Sequence, residues 1–285
     1  MASAALRVVP LGVASRMARW LGEWAAGRFS ATATSGLAHN LRVVGTALPA
    51  RGARKGYGFY ARYWVDMLKL PTLKPRVIDR RFSFIGYHHI LDVQHAGATP
   101  IMVLPHLGSW EWAAAWLGVV DGQSVTAVVE KLKPPGLFDW FRSTREAYGV
   151  RVVPLDPDAF RTLMTAATDG DSIICLLADR DISGTGVEVD FFGERASLPG
   201  GPALLSLRTG SPLLPVAIYD RGATRECRVL APLWPERTGR LREDVSLTTQ
   251  RMAVELECLI SEDPVQWHVL SEIWPLAESG TASRP

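Results

Sequence analysis

The chain has 285 residues, of which 47% are hydrophobic and 21% charged, a balance that supports a sizeable buried core and excludes disordered or collagen-like classes. A net charge of only +2 gives no global cationic field of the kind nucleic-acid binders use, so no nucleic-acid partner is expected. The cysteines Cys175, Cys227 and Cys258 are scattered without a CxxC pair, which argues against a disulfide framework or a zinc site and for a reducing compartment.

Charge is uneven along the chain. Residues 1–60 carry Arg7, Arg16, Arg19, Arg28, Arg42, Arg51, Arg54 and Lys55 against the single acid Glu23. Such a segment suits anionic lipid head groups, at roughly 1 kcal/mol per basic residue near the surface; it also suits a solvated face. No uncharged apolar run reaches the length of about 18 residues that a spanning helix needs. The short apolar stretch after Arg7 is interrupted by Arg16, unlike a signal peptide.

Helices are expected at 13–28, at 34–48, around Tyr57–Leu70 and from Asp79 or Phe82 to Ala96. In the first, Met17, Trp20, Leu21 and Trp24 fall at i, i+3, i+4 and i+7, one apolar stripe beside arginines. That stripe fits either an interfacial helix in the head-group plane or a helix docked on its own core. From residue 100 strands alternate with helices. The strands are read at 101–104, 125–129, 150–153, 173–177, 187–191, 213–219 and 227–230. Helices are read at 110–119, 136–148, 158–169, 202–209 and 244–261, with a last short element over 264–275. The alternation predicts an α/β fold, a mostly parallel central sheet with helices on both faces, preceded by an N-terminal helical region that could lie on a membrane. One domain is expected: a helical part over 1–98, an α/β core over 99–276 and a frayed tail over 277–285.

The most informative stretch is Pro105-His106-Leu107-Gly108-Ser109-Trp110-Glu111-Trp112. It follows the apolar run Ile101-Met102-Val103-Leu104, which reads as a strand buried on both faces. Reactive groups in open α/β sheets gather at the carboxyl ends of strands, where His106 stands. Ser109 is a suitable N-cap for the following helix, and Glu111 falls in its first turn, where the helix dipole favours a carboxylate. Residues five apart on one helix point roughly 140° away from each other. His106 and Glu111 therefore meet only if the histidine precedes the helix and Gly108 turns the chain back. A dyad of this kind could take a proton from an alcohol attacking a thioester; the alternative is a buried histidine satisfied by its neighbour.

At these residues the sequence resembles the bacterial lipid A biosynthesis acyltransferase family, whose signature is His, four residues, then Asp or Glu. Within it the chain looks most like the actinobacterial phosphatidylinositol mannoside acyltransferases. The resemblance includes Tyr60-Ala61-Arg62-Tyr63-Trp64, Glu130-Lys131-Leu132-Lys133-Pro134, Leu177-Ala178-Asp179-Arg180-Asp181, Gly186 to Glu194, and Trp267-His268. The family commonly has Asn where Ser109 stands, and the mannoside branch Asp where Glu111 stands. The resemblance implies transfer of a fatty, palmitoyl-like chain from acyl-CoA, a co-substrate rather than a resident cofactor, to a mannose hydroxyl of a phosphatidylinositol mannoside. It implies peripheral attachment at the inner face of the plasma membrane, with His106 as general base and neither a metal nor a covalent acyl-enzyme. Another glycolipid acceptor of the lipid A type, and a catalytically silent lipid-binding relative, are the alternatives. A serine hydrolase is disfavoured because no GxSxG elbow is present.

Other polar residues fit around that reading. Glu130 ends the 125–129 strand at the same sheet edge as His106 and is a candidate for holding acceptor hydroxyls. Lys131 and Lys133 could meet phosphates. Arg142 and Arg145 share one face of the 136–148 helix, and the family pattern makes Arg145 an anion-binding candidate. Asp179, Arg180 and Asp181 follow the very apolar strand 173–177 and form the second site candidate. Glu188 alternates with Val187 and Val189 and rivals Glu111 as the carboxylate that orients His106. Leu198-Pro199-Gly200-Gly201-Pro202-Ala203 reads as a tight strand–helix turn lining the pocket, since it lacks both GxGxxG and a P-loop lysine. His88, His89 and His95 form no zinc motif and are assigned core or surface roles.

Overall fold

The structure, a computed structural model, describes residues 9–28, 35–131 and 134–274. The expected tail and Lys133 lie outside the described residues. Among the described residues three helices come first: α1 (Leu11–Arg28), α2 (Ser35–Val43) and α3 (Pro49–Lys69). The helix expected over 34–48 is shorter because the chain turns at Gly45 and restarts at Pro49. Proline at the first helical position loses no needed N–H, so α3 begins well before Tyr57.

After α4 (Pro75–Asp79) comes the largest departure from expectation. The helix predicted up to Ala96 is instead a strand, β1 (Phe82–Ile85), and a short helix, α5 (His88–His95). Strand β1 pairs in parallel with residues 225–228, a distant partner that local periodicity does not reveal. The remaining elements alternate as expected: β2 (Ile101–Leu104), α6 (Trp110–Val119), β3 (Val125–Val129), α7 (Pro135–Glu146), β4 (Val150–Pro154), α8 (Ala159–Asp169) and β5 (Ile173–Leu177). Then β6 (Val187–Phe191) and an unanticipated β7 (Glu194–Leu198) form an antiparallel hairpin of their own. Its two-residue turn, Phe192-Gly193, has positive φ at both positions, the hairpin geometry that asparagine–glycine usually announces. The last described elements are α9 (Gly201–Thr209), β8 (Leu213–Asp220), β9 (Arg225–Val229), α10 (Leu241–Glu262) and a 3-10 turn at Pro264–Gln266.

The main sheet has seven strands in the order β1-β9-β8-β2-β5-β3-β4. All neighbours are parallel except β8 and β9, so the α/β fold with a mostly parallel sheet is as the sequence indicates. Successive residues of β2 alternate between two cores. Met102 and Leu104 pack with α5 and α6, while Ile101 and Val103 pack with α8, α9 and α10, so helices cover both faces. A buried ion pair anchors α3 to the antiparallel edge: both carboxylate oxygens of Asp66 accept from Arg225, the nearest at 2.7 Å. Adjacent strands β2, β5 and β3 bring their carboxyl ends together, and Leu104 lies opposite Leu177. That register sets Pro105-His106 beside Ala178-Asp179 at one edge of the sheet.

Candidate active site

The loop after β2 is shaped by Gly108. Its φ is +62°, and a Cβ there would lie 1.8 Å from the carbonyl oxygen of Ile218, so no other residue fits without moving β8. Against this loop lies the segment Gln266–Val269. Gly108 donates its N–H to the carbonyl of Gln266 at 3.1 Å, and His268 donates its N–H to the carbonyl of His106 at 2.9 Å. The terminal segment thus pairs like a short antiparallel strand, bridging Leu107 to Trp267.

Nδ1 of His106 lies 2.6 Å from Oδ1 of Asp179. The other carboxylate oxygen accepts the backbone N–H of His106 at 2.7 Å and the indole N–H of Trp267 at 2.7 Å. Asp179 is fully buried. Burial by itself raises its pKa, but the His106 ring, the Trp267 indole and the His106 backbone N–H outweigh it and hold the carboxyl below its usual range. An ionised carboxylate can only accept, so Nδ1 carries the proton, and in the neutral imidazole Nε2 keeps its lone pair. The His106 side chain remains 24% exposed, enough to meet a substrate. His268 differs. Its Nε2 donates to the carbonyl of Gly108 at 2.9 Å, and burial, with nearby His106 adding to it, pushes its pKa down to about 4. It is a neutral histidine packed against Tyr60 and Tyr63.

The carboxylate beside His106 is therefore neither of the two expected from sequence. Glu111 does stand in the first turn of α6, but its carboxylate faces away from His106 and is saturated by other partners. Oε1 accepts from Arg145 at 2.8 Å and from Tyr63 at 2.9 Å, and Oε2 accepts from Tyr148. Glu111 is wholly buried and Arg145 nearly so. Burial tends to lower the Arg145 pKa, but Glu111 reverses this and holds the guanidinium firmly charged. This pair is a neutral hub joining α3, α6 and α7, and the wide angle between His106 and a first-turn residue is not closed by the Gly108 turn. Glu188 is further from the role: its side chain is 77% exposed and pairs with Arg195 across the β6–β7 hairpin. Ser109 occupies the N-cap position but makes no capping hydrogen bond.

The remaining candidates divide. Glu130 and Arg180 approach to 3.6 Å at the ends of β3 and β5, and both line the cavity beside His106. Asp181 also reaches the lining, though its carboxylate is spent on the loop after β5. It accepts from the backbone N–H groups of Ser183, Gly184 and Gly186 and from the hydroxyls of Ser183 and Ser197. Lys131 pairs with Asp156 at 2.8 Å, and Arg142 makes exposed ion pairs on its own helix. His88, His89 and Asp92 bring ligand atoms within 4.8 Å of one another on α5, outside the cavity lining.

The cavity has a volume of about 580 Å³, within the range of small-molecule sites. His106 stands on its wall. The apolar part of the lining includes Val128, Leu176 and Leu177 of the sheet and Phe160 and Leu163 of α8. Tyr60, Tyr63 and Trp64 of α3 cover one side, and Pro199, Gly201 and Pro202 of the expected strand–helix turn close another. A histidine held by a buried carboxylate on the wall of a largely apolar cavity, with Glu130, Arg145, Asp156, Arg180 and Asp181 also in the lining, suits a reaction at the polar end of an aliphatic chain.

Sequence reasoning groups Asp179 with its neighbours but gives it no role toward His106, and it gives none to Trp267. The apolar strand ending at Leu177 is the available signal for the first. For the second there is none, because a contact between residues 88 apart depends on how the last segment returns to the sheet edge.

Residues 1–275 match the family model described as bacterial lipid A biosynthesis acyltransferase. A phosphatidylinositol mannoside acyltransferase of Mycolicibacterium smegmatis is 35% identical over 239 residues, covering 82% of this chain and 76% of its own length. The phosphatidylinositol mannoside acyltransferase of Mycobacterium tuberculosis is 35% identical over 230 residues, covering 78% of this chain and 71% of its own. The chain belongs to the bacterial lipid A biosynthesis acyltransferase family and is an acyltransferase.

Proposed function

We propose that this acyltransferase moves a palmitoyl-like chain from acyl-CoA to a mannose hydroxyl of a phosphatidylinositol mannoside at the inner face of the plasma membrane. The observation that carries the mechanism is the 2.6 Å contact between Nδ1 of His106 and buried Asp179 at the wall of the apolar cavity. Asp179 fixes the tautomer, so Nε2 of His106 takes the proton of the attacking hydroxyl. The alkoxide adds to the thioester carbonyl, and the tetrahedral intermediate collapses with loss of the CoA thiolate. That thiolate leaves with the proton carried by His106, which returns the imidazole to its starting state. The aliphatic chain occupies the cavity toward Phe160 and Leu163. Glu130 and Arg180, at the polar edge, hold sugar hydroxyls or phosphate oxygens. Cysteine nucleophiles fit poorly: Cys175 and Cys227 are buried, and burial pushes the Cys175 thiol up to about 12. The acceptor assignment rests on the names of the mycobacterial relatives.

Attachment to the bilayer is assigned to α1. Its buried face, including Ala14 and Ala18, packs against α3 at a close approach through Gly22, whose Cβ would lie 2.5 Å from the carbonyl of Tyr57. The adjoining stripe is exposed: Met17 is 55% exposed, Trp20 65%, Leu21 47% and Trp24 45%. Of the two sequence readings of this stripe, the interfacial one is the reading an exposed face supports. Among the described residues no helix is long and apolar enough to cross a membrane. Purified protein given palmitoyl-CoA and mannosylated phosphatidylinositol tests the proposal by mass analysis of the product. Absence of a singly palmitoylated acceptor would reject it.

A further inference from the structure

We propose that Trp267 is a positioning residue of the transfer reaction: its indole N–H, delivered by the segment Gln266–Val269, holds Asp179 so that His106 presents Nε2 as a proton acceptor. The inference rests on the reading of His106 as the base. Oδ2 of Asp179 has two donors, the His106 backbone N–H and the Trp267 indole, each at 2.7 Å, while Oδ1 meets the His106 ring. A buried carboxylate with one fewer donor has a partly unsatisfied oxygen and freedom to turn about its Cα–Cβ and Cβ–Cγ bonds. Trp267 is thus the one side chain, apart from His106 itself, that restrains this group among the described hydrogen bonds.

The segment is anchored on both sides of Trp267. Upstream, the Gln266 side chain accepts the N–H of Asp220 at 2.7 Å and donates to its carbonyl at 3.0 Å, tying the segment to β8. Downstream, Nδ2 of fully buried Asn40 donates to the carbonyls of Val269 at 3.1 Å and Ser271 at 2.8 Å, while its Oδ1 accepts the N–H of Ile273 at 3.0 Å. A Cβ on Gly36 would lie 2.4 Å from the carbonyl of Leu270, so α2 lies directly against the segment. Phe191 and Trp274 flank the Trp267 ring with centroids 6.4 Å and 6.2 Å away. The indole is therefore placed by β8, α2 and the β6–β7 hairpin together, and its one polar atom is directed at the dyad.

Removing the indole N–H leaves more negative charge on Asp179 to be neutralised by His106, so the pair binds its proton more tightly. Other titratable groups around the pair are His268 from the same segment and Tyr60 and Tyr63 from α3. Glu130, Arg145, Arg180 and Asp181 line the same cavity from the sheet edge and α7. None of these changes on substitution of Trp267.

The test uses the full chain with palmitoyl-CoA and mannosylated phosphatidylinositol. Two variants are compared: Trp267→Phe, and 3-benzothienylalanine introduced site-specifically at 267, which puts sulfur in place of the N–H with the ring shape kept. The expected result is a fall in kcat of about tenfold or more and an acid limb of the kcat profile moved up by about one pH unit. KM for palmitoyl-CoA stays within about twofold, because no donor contact is removed. Unchanged kcat and an unmoved acid limb in a folded variant overturn the inference, and the benzothienyl variant decides if Trp267→Phe does not fold. His106→Ala separates the two levels. Full turnover by His106→Ala rejects the general-base reading itself, whereas an inactive His106→Ala beside normal Trp267 variants rejects only the role of Trp267.

Discussion

Asp179 grips His106 at two points, through Oδ1 on the ring Nδ1 at 2.6 Å and through Oδ2 on the backbone N–H at 2.7 Å. The two contacts fix both the orientation of the imidazole and the path of the chain that carries it. Asp179→Asn keeps the volume but offers an amide N–H to Nδ1, which favours the tautomer with the proton on Nε2. Transfer should fall by roughly 10²–10⁴-fold with acyl-CoA binding retained. Steady-state kinetics with a parallel binding titration check this, and a variant within a few-fold of the parent kcat would count against the dyad.

Glu111 should behave differently. Its carboxylate neutralises Arg145 in a site closed to water, and Glu111→Ala leaves that guanidinium uncompensated, at a cost of about 3–5 kcal/mol. Denaturant unfolding should show that loss. The residual activity of the folded fraction should keep the acid limb of the parent, because the Glu111 carboxylate is taken up by Arg145, Tyr63 and Tyr148 rather than by His106. A shifted limb would restore Glu111 to the role its position in the motif suggests.

His268 gives the protein an acid sensitivity of known sign. Its folded pKa is pushed down to about 4, below the unfolded value of about 6.5, so the unfolded chain binds the extra proton across that window. Stability is full above about pH 6.5 and falls as the pH is lowered toward 4, by an amount of order 3 kcal/mol at most. His268→Gln keeps a donor for the Gly108 carbonyl and removes the titration. Thermal melts between pH 7 and 4 should therefore show a shallower decline for the variant; parallel curves would mean that His268 titrates alike in the folded and unfolded chain.

How much of this is legible in the sequence depends on whether the deciding contact is local. Ile101–Leu104 and Ile173–Leu177 are readable as buried strands because both are apolar at every position, and His106 follows from its place after one of them. Strand β1 reads as helix from sequence because Phe82–Ile85 owes its conformation to β9. Assigning Glu111 to His106 relies on sequence nearness. The real partner comes from the next strand in space, 73 residues away, and parallel strand order is set by crossover connections that no short motif encodes. The apolar stripe of α1 is visible as a stripe, but which side of the helix meets α3 is decided by the small residues Ala14, Ala18 and Gly22 beside it.

That stripe carries its own prediction. Trp20 and Trp24 stand exposed on α1, with Arg16 and Arg19 alongside. Trp20→Ser together with Trp24→Ser removes the largest apolar groups from the proposed interface and touches no core contact of the sheet. Flotation with anionic phosphatidylinositol-containing vesicles should fall at least tenfold, while the unfolding midpoint changes little. Undiminished flotation would place the bilayer contact elsewhere.

The cavity makes the last prediction. Ala159, Phe160 and Leu163 present one face of α8 to it, and Leu163, at 6% exposure, also packs with Leu176 in the core. Leu163 therefore marks where cavity gives way to packed interior, one turn along α8 from Ala159. Leu163→Phe adds volume at that point and should shorten the longest chain accommodated. Each excluded methylene is worth about 1–3 kcal/mol of discrimination in an apolar pocket, or roughly 10–200-fold in kcat/KM. Competition between palmitoyl-CoA and lauroyl-CoA reads the ratio directly. Preference should move at least tenfold toward lauroyl, with the pH profile unaltered because the dyad is untouched. An unchanged ratio in a folded variant would mean that the chain leaves the cavity by another route and that α8 does not measure its length.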